Sequence, residues 1–306
     1  MKKLTVVDDT LEKLGNPKTY RKLHTLSKIM IIGWIVPTLI INIYSTICCF
    51  KFFKQISWRF LLLHTINYPF HINEFADLIF IFLLWYIGTK FDKINDHMRC
   101  LSLKEEHGLN YMWKRPDIIH GYFLHRYNYK WTLWTSMHLH LELCRIAREL
   151  NVIFGLHLTF EIVSYLAFLT SNCYYFYRVL EQKHKDERAQ TLMGLGFSFL
   201  ICFIRLYAVN HICESIKNKA YNIDKIIHQL TNTLRYADIW KDIDFFVLHV
   251  TQHPLKFTGL GLFYLGDKFL QKVYICFYVS DSFMFTFCFM LLLIGKPKIM
   301  LNLFFL

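Results

Sequence analysis

Five stretches of this chain are long and apolar enough to cross a lipid bilayer, and they limit the fold more than any motif does. A helix rises about 1.5 Å per residue and the hydrocarbon core is about 30 Å thick, so roughly twenty apolar residues make one crossing. Residues 29–50 meet this with Pro37 in their middle, where a membrane helix tolerates a kink. Residues 70–88 follow, weakened by Glu74 and Asp77 in their first half. The third stretch is 151–177, the fourth is 191–212 with Arg205 as its single charge, and the fifth is 269–294 with Lys272 and Asp281. A 54% hydrophobic content and a mean hydropathy of +0.27 agree with a polytopic membrane protein, an all-α bundle of about five transmembrane helices. The first stretch is too long for a cleaved signal peptide and lacks a small-residue cleavage site.

The net charge of +12 would suggest nucleic acid in a soluble protein, but in a membrane protein it first reports which loops face the cytoplasm. Residues 1–28 hold seven Lys and Arg, 89–150 hold ten and 213–268 hold seven; 51–69 hold three, 178–190 hold four and the tail after Ile294 holds two. The positive-inside rule therefore places the N-terminus in the cytoplasm and the C-terminus outside, with residues 1–28 as a cytoplasmic lead-in and 29–306 as the membrane domain. No nucleic-acid partner is expected.

The long basic segments are not featureless. In 137–150, Leu139, Leu143, Ile146 and Leu150 recur at helical spacing and run on into the third span. In 213–234 the same spacing is kept by Ile216, Ala220, Ile223, Ile227, Leu230 and Leu234. Both read as membrane helices that project into the cytoplasm and pack on one another; the other reading is solvated loops.

Catalytic chemistry finds little to use. The nine cysteines show no CxxC pair and lie mostly in apolar runs, as small buried hydrophobes do. His138 and His140, or His120 and His125, are isolated spacings without the repeated boxes of a membrane oxidase. No nucleophile with its base, no glycine-rich phosphate loop and no ligand spacing for a metal is evident, so neither an enzyme nor a cofactor or metal is expected.

Charges inside a span are costly enough to mark function. Glu161 and Arg205 fall at similar depths, roughly 15 and 12 Å from one membrane face at about 1.5 Å per residue, so they are candidates for an ion pair. His157 sits one turn before Glu161 on the same helix face. The trio is a structural bridge between helices, part of a gating or ligand site, or not paired at all.

Three short segments carry a resemblance. Val7–Leu23 is a charged helix stopped at Leu14-Gly15-Asn16-Pro17, a capping signal; within it Asp8 or Asp9, Thr10, Leu11, Leu14 and Gly15, then Tyr20 and Arg21, resemble a D-x-T-L-x-x-L-G stretch and following Tyr-Arg of the insect gustatory receptors. Leu141–Gly155 (LELCRIARELNVIFG) is similar to that family's approach to its fifth helix, and Phe257–Phe263 (FTGLGLF) to its F-[ST]-x-x-G-x-F segment ahead of the seventh. The resemblance implies that the five spans correspond to helices three through seven, without the first two. It also implies a ligand-gated cation channel of the sensory-neuron plasma membrane, assembled as a homo- or hetero-tetramer of gustatory receptor subunits. Small-molecule tastants would bind among the outer helix halves, and the seventh helices would line the pore.

Residues for those roles can be named. The aromatics near the outer ends, Tyr44, Tyr165, Tyr174, Tyr175, Phe197 and Phe199, are candidates for lining the ligand pocket or, alternatively, packing and interface anchors. Phe283, Thr286, Phe287 and Met290 form one helical stripe that either faces the pore or simply packs. The family's Thr-Tyr and Gln-Phe signature in the last helix is replaced here, with only Phe287 kept, and the tail Gly295-Lys296-Pro297-Lys298 is atypical. A partial or mispredicted chain is therefore expected. The rival functions are a nonfunctional fragment, a modulatory partner subunit, or a small transporter, though no internal repeat supports the last.

Overall fold

The computed structural model describes residues 2–14, 20–52, 57–112, 119–180, 185–233 and 237–275. It is an all-α bundle: α1 (Lys2–Lys13), α2 (Tyr20–Phe52), α3 (Ser57–Met112), α4 (Ile119–Leu180), α5 (Lys185–Thr233) and α6 (Ala237–Gln252). A small antiparallel hairpin follows, β1 (Thr258–Gly259) and β2 (Phe263–Tyr264), and then a helix over 267–275. Four segments have the length and apolarity of membrane spans: Leu23–Ile40, His71–Leu101, Lys130–Ser171 and Phe199–Gln229. The fifth expected span, 269–294, lies outside the described residues from 276 onward.

The helices are longer than the apolar runs that announce them. At about 1.5 Å per residue, the 56, 62 and 49 residues of α3, α4 and α5 make rods of roughly 84, 93 and 74 Å, two to three bilayer cores in length. Where the sequence suggested loops at 51–69 and 89–136, every described residue is helical. The reason is a core that does not stop with the lipid. On α3 the buried residues Phe80, Leu84, Ile87, Phe91, Ile94, Met98 and Leu101 alternate spacings of four and three. On α5 the series Leu206, Val209, Cys213, Ile216, Ala220, Ile223 and Ile227 does the same. That is the heptad period of helices packed knobs into holes, and it holds α3 and α5 together well past the apolar belt.

The belt itself is plain from exposure. Ile29, Ile32, Val36, Leu39 and Ile43 on α2, Ile72, Phe75 and Ile79 on α3, Val152, Leu156, Phe160 and Val163 on α4, and Leu200, Phe203 and Ile204 on α5 are all exposed. A continuous exposed apolar surface of this kind matches lipid tails. α2 passes through Pro37 without a break and touches α3 through Trp34 and Phe75, whose ring centroids are 5.2 Å apart.

Beyond the belt the extensions of α3, α4, α5 and α6 converge on His140. Its ring lies edge-on to Phe91 of α3 at 5.2 Å and to Phe246 of α6 at 5.7 Å, and its Nε2–H donates to the Ala220 carbonyl of α5 at 3.1 Å. The paired extensions expected from 137–150 and 213–234 thus meet at a single buried imidazole. Nearby, Asn95 donates to the Lys219 carbonyl at 2.9 Å and Lys219 reaches Asp92 at 2.5 Å.

α1 is folded onto this bundle. Its apolar residues Leu4, Val7 and Leu11 share one face and are buried, and its polar residues reach the same partners: Asp8 pairs with Lys90 and accepts from Tyr86 of α3, and Lys3 meets Glu149 of α4 at 2.5 Å. α3 and α5 approach tightly at Gly88, where an added Cβ would stand 2.3 Å from Ile216 Cδ1. Ile216 is itself buried and has little room to turn. Gly88→Leu should lower stability by about 1–3 kcal/mol, the usual range for overpacking a filled core; a detergent-solubilised variant that melts at the wild-type temperature would contradict this packing.

Candidate functional site

Within the belt, four helices place polar groups inward where lipid-facing neighbours would allow none. α3 carries His71, Glu74 and Asp77 at three-residue spacing, α4 carries His157, Glu161 and Tyr165 at four-residue spacing, and α5 supplies Arg205. Such spacings put each set on one helix face. Asp77 and Glu161 are 4% exposed, so both are held inside protein rather than against lipid.

Arg205 is the hub. Its Nη2 donates to Asp77 Oδ2 at 3.2 Å and lies 3.8 Å from Glu161 Oε1, while Nη1 is 3.4 Å from Glu74 Oε1. The Tyr165 hydroxyl donates to Glu161 Oε1 at 2.5 Å, and the guanidinium carbon sits 5.5 Å from the centre of the Tyr165 ring. His157 Nε2 lies 3.4 Å from Asp77 Oδ1 and 3.6 Å from Glu161 Oε2. On the other side His71 spans Glu74 at 3.3 Å and Asn42 of α2 at 3.3 Å. One polar chain therefore runs from α2 through α3 and α5 to α4 at the level of the belt.

The sequence-derived trio of Glu161, Arg205 and His157 is brought together, but its closest links run through two residues outside that trio. Asp77 and Glu74, which in sequence only weaken the second span, are the nearer partners of Arg205. The signal is present in their three-residue spacing, since two carboxylates on one face of a buried helix require a cation. Likewise, spacing along the chain shows no metal-ligand pattern, yet the fold sets Asp77 of α3 beside His157 and Glu161 of α4, three possible donors within 4.8 Å of one another.

The other named residues divide differently. Tyr165, grouped with the pocket aromatics, is buried in the charged cluster. Phe199 packs against the core from a half-buried position on α5. Tyr44 lies on α2, Tyr174 and Tyr175 on α4 and Phe197 on α5, with side chains outside the described residues. Phe283, Thr286, Phe287 and Met290 also fall outside them.

At one edge of the belt the segment 257–266 braces the site. Asn151 Oδ1 accepts from the Thr258 amide at 3.1 Å, and Asn210 Oδ1 accepts from the Gly266 amide at 2.9 Å. β1 and β2 pair Thr258 with Tyr264 and Gly259 with Phe263, turning through Leu260 and Gly261, both at positive φ (48° and 75°). Gly259 allows this approach, because a Cβ there would meet Phe263 Cζ at 2.3 Å and Thr159 Oγ1 at 2.8 Å. Two of the segments that carried the resemblance, around Asn151 and over 257–263, are therefore a matched pair in space.

These features agree with comparison to known proteins. No curated protein sequence matches the chain. Among solved structures, the insect olfactory receptor OR5 from Machilis hrabei is similar over 93% of this chain and 68% of its own, with 11% sequence identity and a TM-score of 0.56; at that identity the likeness establishes the fold. The family described as 7tm chemosensory receptors matches residues 1–276, which take in all six long helices, the charged cluster and the bracing hairpin. The chain belongs to the 7tm chemosensory receptor family.

Proposed function

We propose that this receptor is a gustatory subunit of a ligand-gated cation channel, placed in the plasma membrane of a taste neuron with its N-terminus in the cytoplasm. The match of the chemosensory receptor family to residues 1–276 carries the reading. The three gustatory-receptor-like segments favour taste over smell, and the excess of Lys and Arg in 1–28, 89–150 and 213–268 favours the orientation. A tastant, a small organic molecule, binds among the outer helix halves near Tyr44, Tyr174, Tyr175, Phe197 and Phe199. Its binding is transmitted through the long α4 and α5 extensions to a pore stripe of Phe283, Thr286, Phe287 and Met290, repeated in four subunits. The polar chain from Asn42 to His157 holds α2 to α5 as one body for that transmission.

Two measurements test this without a known ligand. Purified receptor in lipid nanodiscs should have the mass of a tetramer, and an epitope on residue 1 should be stained only in permeabilised cells. A particle that remains monomeric alone and when co-expressed with other gustatory receptors would overturn the channel reading. With a responsive tastant panel, inward cation current should be blocked by thiol reagents in Thr286→Cys and not in wild type.

A further inference from the structure

The charged cluster does not balance. Glu74, Asp77 and Glu161 contribute three carboxylates against the single guanidinium of Arg205. Carboxylates thus outnumber guanidinium groups inside an apolar belt, where uncompensated charge is costly. The cluster also has two sides. Asp77 and Glu161 each turn one oxygen to Arg205, and Glu161 Oε1 further accepts from Tyr165. Their remaining oxygens, Asp77 Oδ1 and Glu161 Oε2, face His157 Nε2 at 3.4 and 3.6 Å. Asp77 Oδ1 and His157 Nε2 are both buried without a hydrogen-bond partner, on an Asp77 side chain only 5% exposed. Buried polar atoms that face one another at these distances without hydrogen-bond geometry point to a shared partner.

We propose that Asp77 Oδ1, Glu161 Oε2 and His157 Nε2 form a binding site for a divalent transition-metal ion, zinc above all, on the side of the cluster away from Arg205. In a tetrahedral zinc site with bonds of about 2.0–2.2 Å, neighbouring ligand atoms stand about 3.4 Å apart. The two His157 distances have that length, and all three donors lie within 4.8 Å of one another. One imidazole with two carboxylates suits zinc, iron, cobalt or manganese; calcium and magnesium prefer oxygen alone. The ion supplies two positive charges. Arg205 and Tyr165 grip the outer oxygens and fix how the carboxylates are aimed. Occupancy ties α3 to α4 inside the belt and leaves a fourth coordination position free. The inference depends on neither the tastant nor channel activity.

Cobalt titration of the purified full chain in nanodiscs decides it, with cobalt as a spectroscopic stand-in for zinc. Wild type should take up one equivalent with the strong visible bands of low-symmetry, low-coordinate cobalt, and excess zinc should abolish them. His157→Ala should lose that equivalent, while His138→Ala, at an exposed position on α4, should keep it. His157→Cys should restore binding and add a thiolate-to-cobalt charge-transfer band that wild type lacks. That gained signature also covers the case in which His157→Ala fails to fold. Equal cobalt uptake by wild type and His157→Ala, or a folded His157→Cys chain without the charge-transfer band, would overturn the site and leave shared protons as the source of neutrality.

Discussion

Arg205→Met should be the most damaging single substitution in the membrane part of this receptor, lowering stability by about 3–5 kcal/mol. Among the described residues Arg205 is the guanidinium that faces Glu74, Asp77 and Glu161, and a methionine fills much of its volume while removing all of its charge. The loss is not the worth of an ion pair, which desolvation largely offsets. It arises because the three carboxylates remain inside protein at belt depth without the guanidinium that faces them. Melting of the purified receptor, followed by size-exclusion chromatography after heating, would show a lower midpoint and far less monodisperse protein at a fixed temperature. The same logic predicts rescue: Arg205→Met combined with Asp77→Asn and Glu161→Gln should recover most of the stability, because neutral amides can hydrogen-bond where stranded carboxylates cannot. An Arg205→Met chain as stable as wild type, or a triple variant worse than the single, would show that Arg205 does not neutralise this cluster.

How much of this fold is legible in the chain depends on which period the sequence keeps. The spans stand out because a run of twenty apolar residues suits little besides a bilayer, and the depths of Glu161 and Arg205 follow from counting along them. The α3 extension is hidden because Lys90, Asp92, Lys93 and Asp96 fall among Phe91, Ile94 and Met98, so mean hydropathy drops while the heptad spacing continues. Spacing rather than hydropathy carries the helix to Leu101. Asp77 is obscured for a related reason. A carboxylate in a span lowers its hydropathy whether it faces lipid or an arginine, and only packing of α3 against α5 tells the two apart. The FTGLGLF segment is legible as a motif but not as a hairpin: its strands are two residues long, and the asparagines that accept from Thr258 and Gly266 lie 107 and 56 residues earlier.

α1 provides the second large effect. As an isolated peptide a twelve-residue helix is marginal in water, and its leading Lys-Lys and central Asp-Asp give it the look of a solvated lead-in. Yet Leu4, Val7 and Leu11 are buried, and Asp8, 6% exposed, meets Lys90, which is equally covered on α3. Docking therefore depends on one buried ion pair, supported by the Tyr86 hydroxyl and flanked by an exposed Lys3–Glu149 bridge that contributes little. Lys90→Met should remove the cation that Asp8 pairs with, a loss of about 3–5 kcal/mol if α1 stayed in place. α1 should instead leave the bundle, so hydrogen exchange of residues 3–13 should speed up toward that of an unfolded peptide. Exchange on the heptad core of α3 and α5 should change much less. Removing both charges, with Asp8→Asn and Lys90→Met together, should return most of the protection, since the apolar face alone favours docking by roughly 25 cal/mol per Å² buried. If exchange in α1 were unchanged by Lys90→Met, the apolar face would be sufficient by itself and the ion pair would serve only to set the register of α1 on α3.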